Sequence, residues 1–64
     1  MSPKELTVYK MAIVHKRLLD LEARLDKAFR NGASRKTVEG IEALIERLTE
    51  KFNELMLLSE KQNG

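Results

Sequence analysis

Met11, Val14, Leu18, Leu21, Leu25 and Ala28 stand at alternating steps of three and four, and after one interruption Val38, Ile41, Ile45, Leu48, Phe52 and Leu55 repeat the pattern. This is the period of one helical face with a heptad flavour, so it directs the chain into two long helices. Val8, His15, Leu19 and Phe29 widen the first stripe; Leu44 and Leu58 lie beside the second.

The punctuation between the stripes sets the helix limits. Ser2 can cap a helix whose first residue is Pro3, and Glu5 is placed to reach back in a capping box. Asn31 and Gly32 supply the left-handed residue that a helix C-terminus prefers, and Ser34 can cap the next helix. The expected plan is a helix over about 3–30, a turn over about 31–34, a second helix over about 35–61 and a frayed tail at 62–64. Two helices of similar length joined by so short a turn lie antiparallel. The fold class is therefore all-α, an antiparallel two-helix hairpin in one domain spanning 1–64. Folding about Gly32 brings residue i close to residue 65 minus i, which sets Leu25 against Gly40, Leu18 against the turn of Arg47 and Met11 against the turn of Glu54. A glycine inside a helix costs about 1 kcal/mol. Close packing of Gly40 near Leu25 and Phe29 is its expected reason.

Sixty-four residues enclose too small a core to be more than marginal alone, so a staple or a second copy is needed. The chain has no cysteine, which removes disulfides and thiolate metal sites. Its single histidine cannot build an imidazole cluster. A membrane span needs about 20 apolar residues, and no run approaches that length. With neither a span nor a signal peptide read, a soluble cytoplasmic protein is the default, and dimerisation of the hairpin into a four-helix bundle is the expected way to complete the core.

The segment "LTVYKMAIV", residues 6–14, asks for more than one hairpin can give. Only Thr7 and Lys10 in it are suited to water, whereas a helix in a small protein should be apolar on one side. The run Leu55–Leu58 lies at the same open end. Leu6, Tyr9 and Ile13 point away from the stripe facing the second helix, and Leu57 points away from the first. With Met56 they form the candidate partner-binding set. Met11 and Met56 fit either an adaptable docking surface or gap filling in a dimer core.

Charge is balanced overall at +2, but residues 1–32 carry seven Lys or Arg against four acids and residues 33–64 five against six. On the outward surface of the first helix Lys10, Lys16, Arg17, Arg24, Lys27 and Arg30 form a candidate nucleic-acid stripe, with Tyr9 near one end. The alternative is an ordinary solvated face, helped by intrahelical pairs of Lys16 with Asp20 and Asp26 with Arg30. Glu39, Glu42, Glu46, Glu50 and Glu54 line the second helix as a face that a basic surface could answer or that simply aids solubility. His15 has no nucleophile or acid specified in reach, and no phosphate loop, nucleophile elbow or metal motif occurs. No catalytic residue, cofactor or metal is expected, and the chain reads as a non-enzyme.

Capped helix, tight turn, capped helix and heptad stripes in about 64 residues resemble the plasmid copy-number regulators of the Rop type, homodimeric four-helix bundles that bind paired RNA loops. The resemblance is one of architecture over the whole chain. The spacing from Gly32 to Phe52 is also similar to that of the short aspartyl-phosphate phosphatases of sporulating bacteria, whose second helix carries Ser-Gln-Glu-Leu-Asp. Here that segment reads Glu42-Ala43-Leu44-Ile45-Glu46 and keeps only the final acid. The functional expectation is a small regulatory or adaptor protein that binds itself and an unidentified protein through helix faces. RNA binding by the basic stripe is the alternative. Phosphatase-like action on a response regulator, which the second resemblance implies, comes third.

Overall fold

The computed structural model describes residues 1–62 and shows two helices, α1 (Pro3–Arg30) and α2 (Arg35–Lys61), packed against each other along their lengths. The hairpin is a flat rod with Cα extents of 49 × 15 × 11 Å. The described residues contain no strand, and none of their helices is long and apolar enough to cross a membrane.

The chain itself fixes where α1 begins and ends. Ser2 is extended, and its hydroxyl accepts the Glu5 backbone N–H at 3.2 Å, the Ser2 half of the expected capping box. Glu5 in the first turn and Lys27 and Arg30 in the last have the signs the helix dipole favours. At the far end the Ala33 N–H donates to the Ala28 carbonyl at 2.9 Å and the Gly32 N–H to that of Phe29 at 3.2 Å. This pair of bonds is a Schellman motif. It requires one left-handed residue, and Gly32 at φ 66° supplies it, while Asn31 stays right-handed at φ −88°. Ser34 then caps α2, accepting the Thr37 N–H at 3.3 Å and pairing with the Thr37 hydroxyl at 3.0 Å.

The seam consists of the two stripes. Met11, Leu18, Leu21, Leu25 and Ala28 face Val38, Ile41, Ile45, Leu48 and Phe52 in a half-buried layer, with only Val14 and Leu55 buried among the apolar residues. The flanking positions stay open: Val8, His15, Leu19, Phe29, Leu44 and Leu58 are all exposed.

Thr7, expected to face water, is the most buried residue of the described chain at 4% exposure. It lies on the inward stripe one turn before Met11. Its hydroxyl lies 2.9 Å from the Pro3 carbonyl and 2.8 Å from Oε1 of Gln62, so the polar group is satisfied and tied to the other helix. Gln62, expected in a frayed tail, instead closes α2 with its backbone N–H on the Leu58 and Ser59 carbonyls. Asn63 and Gly64 of that tail lie outside the described residues.

The register also differs from the expected pairing. Thr7 meets Gln62 and His15 meets Phe52, two to four residues farther along α2 than a fold centred on Gly32 would give. The Schellman turn spends Asn31 and Gly32 on closing α1, which moves the pivot toward Ser34. Gly40 is not a close-packing site: a Cβ there would meet nothing within 4 Å, and the residue is exposed. Nothing in the hairpin explains its glycine.

Candidate interaction faces

Two side-by-side helices make a plate with two broad faces, and two contacts tell the faces apart. On one, the His15 ring lies 6.2 Å from that of Phe52, centroid to centroid, at 45°. On the other, Arg17, Asp20, Leu21, Arg24 and Leu48 line a shallow groove. Helical geometry carries these assignments along the rod, because side chains three, four and seven apart share a side.

The groove side gathers positive charge. Lys10, Arg17 and Arg24 run along α1 at seven-residue spacing with Lys27 beside them, and Arg47, Lys51 and Lys61 join from α2. Asp20 and Glu54 are the acids there. The His15 side is the reverse. Glu5, Glu22 and Asp26 of α1 lie with Glu39, Glu42, Glu46 and Glu60 of α2, against a single base, Arg35. Two ion pairs sit on or beside this face, Asp26 to Arg30 at 3.0 Å and Arg35 to Glu39 at 3.2 Å, both within one helix and strongly exposed. Exposed pairs of this kind contribute roughly 0.3–0.5 kcal/mol each. The expected pair of Lys16 with Asp20 is not among the ion pairs within 4.0 Å of the described residues; Asp20 lines the groove instead.

Each face also carries large apolar side chains in water. Leu6, Ile13, Leu44 and Leu58 lie on the basic face, and Val8, Leu19, Phe29 and Met56 on the acidic one. Phe29 is 61% exposed. Five of these eight sit in the half of the rod away from the turn; Leu19, Phe29 and Leu44 are the exceptions.

The five candidate partner-binding residues, all exposed, do not form one patch. Leu6 and Ile13 belong to the basic face and Met56 to the acidic face, while Tyr9 and Leu57 occupy the outer edges of α1 and α2 at the same level. The six candidate nucleic-acid residues divide as well. Lys10, Arg17, Arg24 and Lys27 share the basic face, and Lys16 and Arg30 lie on the outer edge of α1, Arg30 held by Asp26.

Sorting charge by helix missed the contributions of Arg47, Lys51 and Lys61 to the basic face and of Glu5, Glu22 and Asp26 to the acidic face. The signal was available in the heptad positions, since an antiparallel pair sets like flanks of the two stripes side by side. No buried polar side-chain atom among the described residues lacks a partner, and no group of three His, Cys, Asp or Glu there could hold a metal ion. A scan against protein-family models found no match, and searches of curated proteins and of solved structures found none either.

Proposed function

We propose that this chain is a non-enzymatic interaction module, a small regulatory or adaptor protein that associates with itself as a four-helix unit and docks a protein partner through helix faces. One observation carries the reading: the hairpin buries only Val14 and Leu55 among its apolar residues and leaves eleven large apolar side chains exposed. The described hairpin has no second layer on which to bury them. Fully burying one such side chain is worth about 1.5–3 kcal/mol, and these are about half exposed, so the eight brought together by two apposed faces offer on the order of 10 kcal/mol. Association costs about 4–15 kcal/mol in lost freedom. The two magnitudes are comparable, which makes assembly dependent on concentration. Stacking plates uses the broad faces and leaves Tyr9 and Leu57, on the outer edges, for a different partner. Light scattering coupled to gel filtration at micromolar concentration tests the reading. The expected mass is close to twice 7.4 kDa, and a stable monomer would defeat it.

A second reading, RNA binding, is favoured by the gathering of Arg17, Arg24, Lys27, Arg47 and Lys51 on one face. Tyr9, 58% exposed, lies at that face's outer edge and offers one ring for stacking. Neutralising Arg17, Arg24 and Lys27 together should weaken RNA binding and flatten its salt dependence while helicity survives, because fewer counterions are released. Binding weaker than about 0.1 mM at low salt would remove this reading.

A further inference from the structure

We propose that the broad faces of this hairpin are covered by further copies of the same chain through an unlike joint, the acidic face of one copy on the basic face of the next. The proposal rests on the reading of the chain as a self-associating module and adds which surfaces meet.

Charge selects the surfaces. A two-fold dimer sets a face against itself, so the His15 face would oppose Glu22, Asp26, Glu42 and Glu46 to their own copies. The groove face would do the same with Arg17, Arg24, Arg47 and Lys51. Like charges across a joint repel and unlike ones attract, so both faces are satisfied together only when they meet each other. The groove between Leu21 and Leu48 carries two bases, Arg17 and Arg24, against one acid, Asp20, and is open to the acidic side chains of a neighbour.

An unlike joint does not close on two copies. A pair keeps one free acidic face and one free basic face, so it continues into a stack or closes as a ring of more than two. Higher salt should shorten the assembly, because the charges of both faces are exposed and salt screens their attraction.

The test is sedimentation velocity on four samples of the full chain: the parent, Glu22→Lys with Glu42→Lys, Arg17→Glu with Arg24→Glu, and an equimolar mixture of the two variants. All four positions are exposed, and circular dichroism reports whether each variant keeps its helicity. The parent should lie near twice 7.4 kDa at micromolar concentration, where a single joint forms, and pass it as concentration rises. Each variant alone should associate at least tenfold more weakly, and the mixture should recover the parent's assembly, since every joint in it is again unlike. The same substitutions to Gln serve as a second set should a reversal variant unfold, each weakening association less than its reversal. A basic-face variant that associates like the parent while the acidic-face variant does not, or the converse, would show a joint of like faces and overturn the proposal. A mixture that behaves as two separate species overturns it too. A parent monomeric throughout sinks the interaction reading itself, whereas a parent that associates regardless of either reversal sinks only the joint. Loss of RNA binding with unchanged self-association in the basic-face variant would assign that face to nucleic acid.

Discussion

The two ends of the hairpin are finished by different means. At the turn, the chain closes its own polar groups: Ala33 and Gly32 donate back to Ala28 and Phe29, and Ser34 accepts from Thr37. At the open end, a side-chain bond crosses from α1 to the end of α2, from Thr7 to Gln62. Around it Leu6, Tyr9, Ile13, Met56, Leu57 and Leu58 stand in solvent. A turn can be specified by residues within a few positions of one another. An open end finishes itself only by burying side chains on something else, and nothing in the described hairpin covers these.

The sharpest way to separate self-contained packing from packing that needs a neighbour is to empty one leucine site of each kind. Leu55, 7% exposed, is buried within the hairpin, and Leu55→Ala should cost about 2–5 kcal/mol by thermal or denaturant unfolding. Leu48 is only half-buried in one hairpin and lines the groove on the basic face. Leu48→Ala should reach the same range of about 2–5 kcal/mol in the assembly, because a docked copy completes its burial. A loss at Leu48 well below that at Leu55 would leave the groove facing water and weaken the comparison.

Smaller effects are expected at the two glycines, one at the turn and one midway along α2. Gly32 holds φ 66°, a conformation that costs an L-residue roughly 1–2 kcal/mol, so Gly32→Ala should destabilise by about that amount. Gly40 has free space around its missing side chain and ordinary helical backbone, so Gly40→Ala should stabilise by about 0.5–1 kcal/mol. Destabilisation at Gly40 would place a neighbouring chain's backbone against it, on the basic face.

Legibility in the sequence divides along the same line, between local and distant contacts. The helix limits were legible because Ser2, Pro3, Gly32 and Ser34 act locally, and the seam was legible because Met11 to Ala28 and Val38 to Leu55 keep a strict three-and-four spacing. Thr7 was misread because a hydroxyl was counted as water-facing; its place one turn before Met11 and its bond to the Pro3 carbonyl let it be buried. Gln62 was misread because its partner is 55 residues away, and local capping rules are silent about such a contact. The opposition of the two faces was hidden for a related reason. Each face takes acids or bases from both helices, so neither half of the sequence shows the sign until the antiparallel register sets Glu22 beside Glu46 and Arg17 beside Lys51.

The central claim, that one hairpin is an incomplete folding unit completed by copies of itself, is tested most directly by the unfolding midpoint measured by circular dichroism across a hundredfold range of protein concentration. Folding linked to association makes that midpoint rise with concentration, and the account predicts a steady rise. A midpoint that stays fixed across the range, for a chain that remains at 7.4 kDa, would contradict it.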